Sequence, residues 1–144
     1  MRIAIATAVA AVLVTGTAHA QMADPAKKTL YERLGRLPAI TAVVDDFVGN
    51  VARDRRINRF FANANVPRLK FLLVQQICQA SGGPCIYSGR DMRSVHRGMG
   101  VSGRHFNALV QDLGRTLNKF RVPAREQKEL VAALAPMRRY IVER

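Results

Sequence analysis

No stretch of the sequence alternates apolar and polar residues over the length of a strand, so no sheet is expected. There is no Cys-x-x-Cys-His motif, which argues against covalent haem attachment of the c type. Without any Cys-x-x-Cys, a thioredoxin-like redox pair is disfavoured as well. The apolar run from Ile3 to Val14 falls short of the roughly 20 residues that span a bilayer, and no later segment is apolar enough to do so. Internal repeats and low-complexity tracts are absent. Acidic residues are scarce: 10 Asp and Glu stand against 23 Lys and Arg, a formal net charge of +13. That balance suits nucleic acid, an anionic membrane or an acidic protein. The basic residues are scattered along the chain and form no block, which favours a solvated basic surface and leaves no expectation of a nucleic-acid partner.

What is present begins with an address. Arg2, the apolar run to Val14, small polar residues and Ala18-His19-Ala20 together read as a signal peptide over residues 1–20, cleaved after Ala20. The mature chain is then periplasmic or secreted, without stable membrane insertion. Export also weighs against nucleic acid. Residues 21–28 form a polar, flexible lead-in, and residues 29–144 have the length of one compact domain. The two cysteines, Cys78 and Cys85, make an even pair in an oxidising compartment and are expected to form a disulfide joining the end of one helix to the loop after it.

Helical signals fill the rest. Thr29 with Glu32 three residues on is a capping box for a short helix ending at Gly35. Pro38 suits the first turn of a helix whose apolar residues Ile40, Val43, Val44, Phe47 and Val51 recur at helical spacing. Asp54 to Phe61 reads as a short irregular helix ending in Phe60-Phe61. Pro67 opens a helix carrying Leu69, Leu72, Leu73, Gln76, Ile77 and Ala80 inward, stopped by Ser81-Gly82-Gly83-Pro84. Asp91 caps a short helix that Gly98 and Gly100 end. Ser102 caps a longer one with Phe106, Leu109, Val110, Leu113, Leu117 and Phe120 in register. Val122-Pro123 opens a last helix striped by Leu130, Val131, Leu134, Met137 and Ile141. The expected fold is all-α.

The candidate chemistry rests on a histidine. A histidine in the last turn of a short helix can ligate haem iron, and His96 occupies such a position; a lone helical histidine is also often an ordinary core or surface residue. The surrounding pattern distinguishes these readings. Thr29-Leu-Tyr-Glu-Arg-Leu-Gly35, Phe60-Phe61, Gly82-Gly83-Pro84, Tyr87-Ser-Gly89, Met92 with His96, and Val122-Pro123 follow in an order and separation that resemble the group I truncated haemoglobins, over Thr29 to Val142. The resemblance implies a globin-like two-over-two helical sandwich and non-covalent haem b. It maps the family's proximal iron ligand onto His96 and its haem-packing phenylalanine onto Phe61. A carbonyl one turn back, near Met92, is the expected acceptor for the second ring nitrogen. Tyr87, Met92 and Leu109 join the expected haem contacts, and His105 is expected at the surface or the haem edge.

The distal side departs from the family. Where a tyrosine commonly follows Phe47, this chain has Val48, and the two facing positions one turn apart are Leu69 and Leu73. A charge-assisted hydrogen bond to bound dioxygen is worth roughly 1.5–3 kcal/mol. Its loss weakens retention roughly 10- to 150-fold. Gln76 is a candidate substitute donor, or else a deeper residue bonded to backbone or water. Arg68, Lys70, Arg90, Arg93 and Arg97 are candidate partners of the haem propionates.

The expected function is an exported haem protein binding oxygen or another diatomic gas, nitric oxide or carbon monoxide, at a His-ligated iron with an apolar distal pocket. The alternative from the same resemblance is a haem enzyme for nitric oxide dioxygenation or peroxide-dependent oxidation. Dioxygenation needs a retained oxygen complex and an electron supply, for which an acidic donor protein is the candidate partner. Peroxide chemistry usually wants a distal acid or base, and none is expected here. A haem-free basic helical binding module is the reading from outside this class.

Overall fold

A computed structural model describes residues 27–144. The expected signal peptide, and all of the lead-in but Lys27 and Lys28, lie outside the described residues. Every regular element among the described residues is helical. Four long helices, α2 (Arg36–Arg53), α3 (Val66–Ala80), α5 (Gly103–Lys119) and α6 (Ala124–Leu134), form the frame. Short helices α1 (Leu30–Arg33), α4 (Met92–His96) and α7 (Arg138–Ile141) attach to it, with 3-10 turns at Asn58–Phe61 and Ala135–Met137. No helix among the described residues is long and apolar enough to cross a membrane.

Local chemistry sets where these helices begin. Thr29 Oγ1 accepts from the Glu32 N–H at 3.2 Å while the Glu32 carboxylate accepts from the Thr29 N–H at 3.0 Å, the capping box the sequence predicts. Asn65 caps α3 by accepting from the Arg68 N–H at 3.0 Å, with Pro67 in the first turn where no N–H is needed. At the start of α2, Gly35 takes φ +97°, and a Cβ there would lie 2.8 Å from that of Ala39.

The core forms where α2 meets α3 and α5, with α6 closing over α1, α3 and α5. Val44, Ile57, Leu117 and Leu130 are almost wholly buried. Truncating such a leucine to alanine removes about 2–5 kcal/mol. A polar clamp crosses the same interface. The Asn50 amide donates to Asp46 at 3.1 Å and to Thr116 at 2.9 Å, and Lys119 pairs with Asp46. Arg33 of α1 bridges Glu126 and Glu129 of α6.

Cys78 and Cys85 form the expected disulfide. The chain can pass so close to α3 because residue 83 is glycine: a Cβ there would lie 2.6 Å from the Tyr31 ring and 2.7 Å from Cys78 Sγ.

Three sequence expectations need correction. The last helix is not continuous: Pro136 lacks an N–H and blocks the preceding turn, so α6 ends at Leu134 and the chain redirects through a 3-10 turn into α7. Phe120 does not extend the α5 stripe, because it is the C-cap residue, 41% exposed, and Arg121 reverses the chain with φ +54°. The segment after α2 is helical only over Asn58–Phe61; before it, Asp54 accepts from the Arg56 N–H at 2.9 Å and holds a turn instead.

Candidate functional site

A cavity of about 590 Å³ opens between α2, α3, α4 and α5, within the range of small-molecule and cofactor sites. One wall is α4. Asp91 caps it, accepting from the Ser94 N–H at 2.9 Å. The helix is only five residues long, and its last residue is His96. The His96 ring lies 2.8 Å through Nδ1 from the Met92 carbonyl oxygen, so Nδ1–H donates there and, in the neutral ring, Nε2 is the nitrogen with the lone pair. His96, Met92 and Val95 all line the cavity.

The loop that follows is held from far along the chain. Gly98 and Gly100 adopt φ +76° and +66°, and their N–H groups donate to the Glu143 carboxylate at 2.7 and 2.5 Å. Those two bonds hold the Glu143 carboxyl below its ordinary range. The Glu143 N–H donates to Val101 and the Gly103 N–H to Arg144, so the C-terminal strap seals the α4–α5 junction.

Most of the remaining wall is apolar, with Arg59, Asn63, Asn65, Arg68 and Arg90 among its polar residues. Val48 comes from α2, and Leu69, Leu72 and Leu73 come from α3. Phe61 enters from the 3-10 turn and Leu109 from α5. Gln76 also lines the cavity, but its amide lies 3.5 Å from the Met92 sulfur and 3.3 Å from that of Met137, both weak acceptors. Tyr87 reaches the cavity from the loop tied by the disulfide. Its hydroxyl donates to the Arg90 carbonyl at 3.0 Å, its backbone N–H donates to Gln79 at 2.6 Å, and burial pushes its pKa up.

The structure thus brings together His96, Phe61, Val48, Leu69, Leu73, Gln76, Tyr87, Met92 and Leu109 around one space. Of the five basic residues expected at its rim, Arg68 and Arg90 line it. Lys70 instead pairs with Asp45 at 2.9 Å, Arg93 stacks on Tyr140, and Arg97 does not line it. His105 lines the cavity, but its chemistry is partly committed. Its Nδ1 accepts from the Ser102 N–H at 3.1 Å, its ring meets Phe60 edge-on, and burial, then Arg59, lowers its pKa. Sequence reasoning missed Ile141, which α7 delivers to the cavity only because Pro136 breaks the last helix, and Glu143, whose partners lie more than forty residues away.

Residues 29–143 match the bacterial-like globin family. The group 1 truncated hemoglobin GlbN of Mycolicibacterium paratuberculosis is 34% identical over 120 residues, covering 83% of this chain and 87% of that protein. The truncated hemoglobin of Tetrahymena pyriformis in its Fe(III) form superposes with a TM-score of 0.78 at 28% identity, covering 81% of this chain and all of that one. The 2/2 hemoglobin of a Synechococcus species, solved in the cyanomet state with covalently attached heme, gives 0.76 at 31% identity over 81% of this chain and 100% of its own. The match over residues 29–143 and the likeness in sequence and fold show the family: the chain belongs to the bacterial-like globins, as a group 1 truncated haemoglobin.

Proposed function

We propose that this chain is an exported haem b protein in which His96 ligates the iron, and that it binds oxygen or another diatomic gas in a distal pocket without a strong hydrogen-bond donor. The observation that carries this reading is the His96 Nδ1–H bond to Met92 at 2.8 Å within an apolar cavity, which leaves Nε2 as the donor to a metal. The cavity's residues fit haem: its volume is ample, its walls are mostly aliphatic and aromatic, and Arg68 and Arg90 supply cations for two carboxylates. Phe61, Tyr87, Met92 and Leu109 would hold the macrocycle by packing. When bound, the haem would supply the iron that takes up the gas.

The chain's own residues then set selectivity. Val48, Leu69 and Leu73 offer no polar hydrogen to a bound gas. Gln76 is engaged with the sulfurs of Met92 and Met137, which supports the reading that it sits deep and is not the distal donor. Tyr87 is engaged with the backbone. The pocket favours fast exchange, and oxygen should lose more than carbon monoxide from the missing hydrogen bond.

An enzymatic role is the second reading. No aspartate or glutamate among the described residues lines the cavity, and His105 is tied to Ser102, so a free acid or base for peroxide chemistry is lacking. Nitric oxide dioxygenation would need an electron donor, and the +13 charge suits an acidic one. Export rests on residues 1–20, and the Cys78–Cys85 bond supports an oxidising compartment. The ferrous, ligand-free absorption spectrum tests the coordination: a five-coordinate high-spin form is expected, and a six-coordinate low-spin form would overturn the open distal side.

A further inference from the structure

A second concavity, of about 500 Å³, lies outside the haem cavity where the end of α2 meets α5. Its lining is polar and one-sided in charge: Arg53, Arg55, Arg56 and Arg115 against the single carboxylate of Asp54, with Asn50 and Gln111 beside them. Two of the guanidiniums are fixed in advance. Arg56 meets Asp54 through Nε at 3.0 Å and Nη2 at 2.7 Å and donates from Nη1 to Gln111 at 2.7 Å. Arg115 pairs with Asp112, whose side chain is wholly buried, and lies 3.8 Å from Asp54. Arg53 and Arg55 have no carboxylate partner among the described residues; Arg53 donates only to Asn50, at 3.3 Å.

A guanidinium carries five donors in a planar fork suited to oxyanions, so each of these side chains retains free donors after its internal bonds are counted. Fixing the fork beforehand lowers the ordering entropy that a ligand must overcome. A cation is excluded from such a place by charge. A wholly solvated basic face would not need Asp54, 8% exposed, and Asp112 beneath it to hold the arginines together.

We propose that this concavity is a binding site for a small multivalent oxyanion of the phosphate class, held by Arg53, Arg55, Arg56 and Arg115. Its position gives the site a direct relation to the haem cavity. Residues 50–57 form a partition: Asn50, Arg53, Asp54, Arg55 and Arg56 face the concavity, while Val51 and Ile57 from the same segment line the haem cavity.

Isothermal titration of the full-length, haem-loaded protein with inorganic pyrophosphate at fixed ionic strength tests this. The expected result is saturable binding, weakened at least tenfold in the Arg53→Gln/Arg55→Gln variant and unchanged in Lys27→Gln/Lys28→Gln, which removes the same charge elsewhere. Equal weakening in the two variants would overturn the proposal, because general electrostatics would then explain the binding. So would the absence of saturation, or site-specific binding of oligoglutamate with none of pyrophosphate, which would make the face an acidic-protein dock. Circular dichroism of both variants separates loss of the site from loss of the fold.

Discussion

The carboxylate of Glu143 accepts from the N–H of Gly98 at 2.7 Å, joining the end of the chain to the loop that follows His96. The same carboxylate accepts from Gly100, so one side chain fixes both left-handed residues between α4 and α5. Because the ionised form receives these bonds, its folded pKa lies below the ordinary 4.5. The stability it contributes is complete above that unfolded value and is lost as pH falls through the folded one. Acidification below pH 4.5 should therefore loosen the α4–α5 loop. Glu143→Gln should loosen it at neutral pH and flatten the acid dependence of Gly98 and Gly100 amide exchange, which hydrogen exchange measures. An unchanged acid dependence in the variant would assign the effect to other carboxyls.

The apolar distal wall makes a prediction about gain of function. Val48→Tyr places a hydroxyl on α2 beside Phe47, where the cavity has no donor. A charge-assisted hydrogen bond of roughly 1.5–3 kcal/mol should slow oxygen release roughly 10- to 150-fold. Carbon monoxide release should change far less. Stopped-flow displacement of each gas reads both rates, and an oxygen rate within threefold of the parent would contradict an unassisted pocket.

Reducing the disulfide should lower stability more than it alters the helical frame. Closing the short loop between Cys78 and Cys85 contributes roughly 2–3 kcal/mol on the chain-entropy estimate. That loss should appear as a lower denaturation midpoint in the presence of reductant, or in Cys78→Ser/Cys85→Ser. Because Tyr87 and Arg90 follow Cys85 on the same loop and line the cavity, haem retention should fall with it. A stability loss without any change in haem dissociation rate would show that the bonds from Tyr87 and Ser88 to Gln79 and Gln75 hold the loop alone.

The helices were legible in the sequence because their signals are local, and the residues of the cavity through the resemblance to the truncated haemoglobins. Caps at Thr29, Asp91 and Ser102, prolines in first turns and stripes at helical spacing fix most of the frame. The histidine's second partner was legible too, since a residue in the last turn of a short helix can reach a carbonyl one turn back. What depended on distant parts of the chain was not. Glu143 meets Gly98 across 45 positions and carries no local mark of that role. Pro136 was readable as a helix breaker, but the redirection it causes, with Ile141 brought to the cavity, depends on how α7 packs against α4. Phe120 looked like one more apolar residue in register until Arg121 reversed the chain. Charge was legible as a total and not as an arrangement: Lys70, Arg93 and Arg97 found Asp45, Tyr140 and positions off the cavity, while Arg53, Arg55, Arg56 and Arg115 converged on a second concavity.

The most direct measurement is the absorption spectrum of the purified protein, ferric, ferrous and with carbon monoxide, beside that of His96→Gly with and without added imidazole. The parent should show a strong Soret band, the variant its loss or marked shift, and added imidazole should restore it by filling the space the side chain left. A His96→Gly protein whose spectra match the parent's in all three states would contradict the assignment of His96 as the iron ligand.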